Sequence, residues 1–193
     1  MVRQREFDEG KALDAAMRVF WEKGFEASSL NDLTFEMGIQ RPSLYAAFGD
    51  KKQLFETALR KYTQLHASDI RSKLQKGKTV KESFRFLLVG IVEEEYAIGP
   101  SKGCFCINTM VELAPHDEKF EILTREHQMY LATIFQEKIE QGVHSGELAG
   151  DTNIKALAQG LVITLIGLTV MMKARPERSF ADNAIQMALT MIK

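Results

Sequence analysis

The sequence is poor in residues that staple a chain or break its helices. It has only 2 cysteines in 193 residues, and their C-x-C spacing offers no disulfide framework. Proline occurs 4 times and interrupts no long periodic segment, which favours helices. An excess of one charge is also lacking, with 25 basic and 26 acidic residues. Such a chain cannot hold nucleic acid by bulk charge, so any basic patch must be local. There is no Gly-rich phosphate loop, serine nucleophile elbow or zinc spacing. His66, His116, His127 and His144 are scattered. The residues therefore argue for no enzyme, no metal and no cofactor. The N-terminal stretch lacks the apolar core of a signal peptide. One long apolar run, 156–172, lies at the lower limit for a membrane span. It carries Gln159, Thr164, Thr169 and two glycines and reads as a buried helix. The expectation is a cytoplasmic protein with no membrane partner.

What is present is helical spacing throughout. Leu13, Ala16, Met17, Phe20 and Trp21 recur at three- and four-residue intervals from Gly10, and Gly24 is a stop signal. The spacing predicts further helices at 29–37, 42–48, 51–76, 80–96, 103–113, 117–143, 151–173 and 179–192. Breaks rich in Gly, Pro, Asp and Ser separate them, "AIGPSKG" among them. No repeat or low-complexity segment appears. The fold class is all-α, with about nine helices. An N-terminal domain of three short helices, 1–50, continues into a fourth at 51–76. A larger helical domain, 77–193, follows.

The pair 29–37 and 42–48, joined by Gly38-Ile39-Gln40-Arg41, has the helix-turn-helix pattern. Ser29 and Asp32 form a capping signature. Pro42 at the first helical position fixes the start of the second helix without losing a hydrogen bond. The amides of Ser43 and Leu44 are then expected to face a phosphate, aided by the helix dipole. A recognition helix enters the major groove by its N-terminal end, so two turns suffice. Leu44 and Phe48 should face the core, and Ser43, Ala46 and Ala47 should face outward. Arg41 can reach guanine, and Tyr45 and Lys51 can reach phosphates, although Tyr45 also suits simple packing. Residues 1–62 hold ten basic and ten acidic residues, whereas 40–61 holds five and two. The basic footprint is confined to helices 3 and 4.

The stretch "GFEASSLNDLTFEMGIQRPSLYAAFGDKKQLFETAL", 24–59, resembles the DNA-binding domain of the TetR/AcrR family of bacterial transcriptional regulators. The likeness rests on the Gly-aromatic turn, the Ser opening helix 2, the Gly-hydrophobic turn, the LYxxF core of helix 3 and the lysine opening helix 4. It implies DNA contacts at Ser29, Asn31, Arg41, Pro42, Ser43, Tyr45, Ala46 and Lys51. Asp50 departs from the pattern, standing where many members have Ser, Asn or Pro. The resemblance further implies a homodimeric repressor on a palindromic operator of double-stranded DNA, released by a small apolar effector of unknown identity.

In the C-terminal half the resemblance is one of layout, and it implies that the last two helices pair between subunits. Gly160, Thr164, Gly167 and Leu168 on one helix, with Ala184, Met187 and Met191 on the other, form stripes that suit either an interface or the chain's own core. Phe84, Leu88, Phe105, Met110, Met129 and Tyr130 are candidates for an effector cavity, with Asn108, Glu112 and His127 as polar groups. Each equally suits core packing. "SKGCFC" is similar to a subset of the family that includes thiol-based electrophile sensors. Cys104 at a helix N-terminus near Lys102 would then carry a lowered pKa and offer redox control instead of ligand control. The alternative is that Cys104 and Cys106 are small buried hydrophobes.

Overall fold

The computed structural model describes residues 7–97, 99 and 101–193. Residues 1–6 of the expected N-terminal domain, and Ile98 and Pro100 of the expected break, lie outside the described residues. The described residues contain no strand and nine helices: α1 (Glu9–Lys23), α2 (Leu30–Met37), α3 (Arg41–Phe48), α4 (Lys51–Leu74), α5 (Val80–Ala97), α6 (Phe105–Glu112), α7 (Glu118–His144), α8 (Ile154–Met172) and α9 (Arg178–Thr190).

Local chemistry sets most of the boundaries. The Asp8 side chain accepts from the Lys11 amide and starts α1. Asp50 and Gln53 form a reciprocal capping box at the head of α4. Asp117 and Asn153 cap α7 and α8 with their own side chains. The α5 start has a more distant cap, because the Glu147 carboxylate accepts from the Val80 amide at 2.7 Å. Two expected starts move inward by two residues or more. Gly103 has a positive φ of 64° and Cys104 is the N-cap, so α6 begins at Phe105. Asn153 caps α8, so that helix begins at Ile154 rather than 151.

Two apolar cores divide the chain, and they meet within α4. The first gathers α1–α3 and the start of α4 around Phe20, Leu33, Leu44, Phe55 and Tyr62, and it also takes in Phe105, Cys106, Phe120 and Leu123 from α6 and α7. The Phe55 ring sits edge-on against Phe20, Phe25, Phe105 and Phe120 at 4.8–5.3 Å. Such pairs contribute about 0.5–1.5 kcal/mol each beyond their burial, so α6 and the head of α7 are firmly seated on the N-terminal helices. The second core joins the rest of α4 to α5, α7, α8 and α9. Among the described residues α8 alone is long and apolar enough to cross a membrane. One side of it packs into this second core through Leu161, Leu165, Leu168 and Met172.

Candidate nucleic-acid interface

The α2–α3 unit is held by short-range polar geometry. Ser29 caps α2 by accepting from the Asp32 amide, while the Asp32 carboxylate accepts from the Ser29 amide at 2.9 Å. Hydrogen bonds from Lys23 and Ser29 hold the Asp32 carboxyl well below the usual range. Gly38 takes the left-handed conformation, φ 65°, in which its amide and that of Ile39 close the end of α2. The chain can then reverse into α3 within three residues.

α3 differs from expectation at its first turn. Arg41, not Pro42, is the first helical residue, and Pro42 is the second, after Gln40 as N-cap. Gln40 supplies no side-chain cap. The Leu44 amide is not free, because it donates to the Gln40 carbonyl at 3.0 Å. Among the described residues, the first-turn amides left without a partner are those of Arg41 and Ser43, since Pro42 has none. Leu44 is fully buried and anchors the helix. Arg41, Pro42, Tyr45 and Ala46 are exposed, whereas Ser43 and Ala47, expected to face outward, are half-buried.

The structure brings the remaining expected contact residues to the same region. The Arg41 guanidinium donates to Asn31 Oδ1 at 2.7 Å, linking α3 to exposed Asn31 on α2. Lys51, at the head of α4, lies with its ammonium 4.4 Å from the centre of the Phe25 ring. The basic residues of 40–61 are not equivalent. Lys52 pairs with Asp117, Arg60 with Glu56 and Lys61 with Asp14. Among the described residues of this segment, only Arg41 and Lys51 are cations without a carboxylate partner. The local basic footprint thus narrows from five residues to two.

The two halves of this geometry match one family along the chain. Residues 12–58 match the description "Bacterial regulatory proteins, tetR family", and residues 92–188 match "Tetracyclin repressor-like, C-terminal domain". The chain is 31% identical over its whole length to the uncharacterized HTH-type transcriptional regulator YezE of Bacillus subtilis, covering 100% of both. It is 30% identical to the HTH-type transcriptional repressor ComR of Escherichia coli, covering 99% of this chain and 90% of ComR. Among solved structures it resembles a cysteine mutant of the TetR family regulator CifR in complex with 26-base-pair operator DNA. That match has a TM-score of 0.86 and 34% identity, covering 97% of this chain and 98% of CifR. The chain belongs to the TetR family.

In this TetR-family chain the other expected site residues scatter. On α8, Gly167 is exposed while Gly160 and Thr164 are half-buried; on α9, Met187 and Met191 are exposed and Ala184 is half-buried. Leu168, expected with them, is buried in the chain's own second core. It follows Gly167 by one residue, about 100° around the helix, which turns it away from that stripe. The stripe instead includes Ile163, 71% exposed, with Val170 and Met171, and Phe180 faces out on α9. Spacing from Gly160 by three and four residues would have found Ile163 and Val170.

The six expected effector residues do not form a cavity. Phe84 and Leu88 are fully buried in the second core and Phe105 in the first, with Met110 half-buried against it. Met129 and Tyr130 stand 64% and 48% exposed on the outer side of α7. The polar candidates are occupied within the protein. Glu112 accepts from the Phe25 and Glu26 amides at 3.1 and 2.9 Å, and Gly24 leaves the room this needs, since a Cβ there would lie 2.7 Å from the carboxylate. Asn108 holds Lys173 Nζ and the Lys102 carbonyl. His127 Nε2 lies 3.0 Å from His66 Nδ1, and burial lowers both imidazoles to about 4.

Cys104 reverses the expectation of an activated thiol. It is buried, and burial pushes its pKa up, outweighing the hydrogen bonds from Tyr62 and from the first amides of α6. Lys102, expected to help, pairs with Glu22 instead. Cys106 is buried and raised as well, for the same reason. A buried thiol with a raised pKa is a poor nucleophile, and both cysteines pack within the first core. Among the described residues no three His, Cys, Asp or Glu side chains converge on a metal position.

Proposed function

We propose that the chain is a cytoplasmic, homodimeric transcriptional repressor that binds a near-palindromic DNA operator through α2 and α3. The observation that carries this reading is the α2–α3 unit, where exposed Arg41 bonds to Asn31 and, among the described residues, has no carboxylate partner, beside the first amides of α3, with Lys51 likewise uncommitted at the head of the next helix. Ser29 and Asn31 touch backbone from the head of α2. Arg41 reads a base edge, and the Arg41 and Ser43 amides take a phosphate at the positive end of the helix dipole. Pro42, Tyr45 and Ala46 line the groove-facing side, and Lys51 holds a flanking phosphate. The likeness to CifR bound to its 26-base-pair operator supports DNA of that kind as the partner. The family's members are transcriptional regulators, and catalysis plays no part in this reading.

The apolar stripes on α8 and α9 would supply the dimer contact. An isologous contact between two copies presents two α3 helices to successive major grooves. Small-molecule binding in the C-terminal half would shift the pair to a spacing that no longer fits, with ligand and DNA weakening each other by one common factor. An electrophoretic mobility shift on the promoter upstream of the chain's own gene tests the function. Sequence-selective, salt-sensitive binding by a dimer is expected, and equal affinity for all duplexes would sink it.

A further inference from the structure

A cavity of about 510 Å³ opens between α1, α4, α5, α8 and the segment leading into α6. Its volume is in the range of small-molecule sites, and its lining has two characters. Met17, Trp21, Tyr62 and Ile91 give an aromatic and apolar wall. The Trp21 and Tyr62 rings meet edge-on at 5.0 Å, and Trp21 Nε1 donates to the Gly103 carbonyl at 2.8 Å, which fixes the indole.

The other character is acidic. Asp69, Glu94 and Glu95 line the cavity, against Lys73 and Lys102. Lys73 is nearly buried and lies 2.7 Å from both Asp69 and Glu94, so that trio carries one net negative charge. Lys102 is held by Glu22. Glu95 is half-buried and has no hydrogen-bond or ion-pair partner among the described residues. The neighbouring His66 imidazole is occupied by His127 and stays neutral near pH 7. Every cation at the cavity is thus spoken for, while one carboxylate is not.

We propose that this cavity binds an organic cation with an aromatic or apolar body, its charge held by Glu95 and its body lying against Trp21. An anionic ligand would meet the surplus carboxylates, with no uncommitted cation to offset them. A neutral apolar ligand would drain water from Glu95 and leave it unpaired, which is costly. A cation removes that cost and gains the attraction of the indole face. Its effect on operator affinity rests on the repressor reading above; the site itself does not. Trp21 belongs to α1 and bonds to Gly103 just before α6, so an occupant touches both the DNA-binding helices and the C-terminal half.

Tetraphenylphosphonium and tetraphenylborate test the charge preference, having the same shape and opposite charge. Trp21 is the only tryptophan, so its emission reports occupancy directly. Saturable quenching by the phosphonium and none by the borate is expected. Glu95→Gln should weaken the phosphonium roughly tenfold, the order of the Coulomb attraction between unit charges several ångströms apart in a partly solvated site. Glu95→Lys should shift the preference towards the borate, with thermal midpoints confirming that both variants fold. Equal affinity for both probes, or affinity unchanged in Glu95→Gln, would overturn the proposal. A mobility shift without either probe is run beside it. Selective operator binding with no charge preference removes only the cation site, whereas charge-selective quenching without operator binding removes only the repressor reading.

Discussion

Two surfaces of this chain are unfinished in opposite ways. At the heads of α3 and α4 the missing partners are polar: among the described residues the Arg41 and Ser43 amides have no acceptor, and the cations Arg41 and Lys51 have no carboxylate to meet. Along α8 and α9 the missing partners are apolar: Ile163, Val170, Phe180 and Met187 stand in water. The first surface calls for an anion of fixed geometry, because amide direction and helix dipole both favour negative charge there. The second calls for a matching apolar face, and a second copy of the chain supplies one by symmetry. Local turn chemistry builds the first surface, since Gly38, Pro42 and the Ser29–Asp32 box act within a few residues of one another. Helical periodicity builds the second, so each can be broken separately.

The largest effect should come from the apolar surface. Ile163→Asp places a charge where two copies would meet without touching this chain's own core. The variant should fold with a thermal midpoint lowered by the lost subunit contact and no longer dependent on concentration, sediment as a monomer and lose operator affinity by about a hundredfold or more, since one half-site is left to carry binding. A dimer with full affinity would show that α8 is not the interface.

Next in size is the polar surface itself. Arg41→Ala should lower operator affinity by about tenfold for each half-site, the usual worth of a base-reading arginine, and so by about a hundredfold for the dimer. Binding to unrelated duplexes should hardly change. Titration of operator and scrambled DNA side by side separates the outcomes, and an equal loss on both would make Arg41 a phosphate contact.

The two surfaces were not equally legible in the sequence. Helix content and the α2–α3 turn could be read because spacing and cap residues are local signals. The α8–α9 stripe is half legible: its small residues stand out, whereas Ile163 and Val170 do not stand apart from the apolar run around them, and Leu168 lies one residue around the helix from Gly167. The cavity was not legible at all. Its lining comes from five separate segments, and residue type misled, since Phe84, Leu88 and Phe105 are the kind of side chain a helical core buries first. The thiol of Cys104 could not be read either, because a helix N-terminus and burial shift it in opposite directions and only packing decides between them.

Between the surfaces, the His66–His127 pair joins α4 to α7. Burial lowers both imidazoles to about 4, against about 6.5 in the unfolded chain. Above that value neither state binds the protons. As pH falls towards 4 the unfolded chain takes them up first, so stability drops through this window and levels off below it. His127→Gln should reduce the loss of unfolding free energy between pH 7 and pH 5 by on the order of 1–2 kcal/mol, as urea denaturation at the two pH values would show. An unchanged loss would mean the imidazoles are solvated in the folded protein.

The smallest expected effect separates two adjacent lysines. Lys52 is committed to Asp117 at the head of α7, whereas among the described residues Lys51 has the Phe25 ring beneath it and no carboxylate partner. If Lys51 holds one phosphate in each half-site, a dimer releases two counterions through it. Each phosphate contact contributes about 0.9 to the slope of log affinity against log salt. Lys51→Ala should therefore flatten that slope by about 2 while leaving sequence preference intact. Lys52→Ala should leave the slope as it is. It would loosen the tie between α4 and α7 instead, and so show itself in the thermal midpoint. Equal slopes for both variants would place the phosphate backbone elsewhere and leave Arg41 as the one cation of this segment that DNA can use.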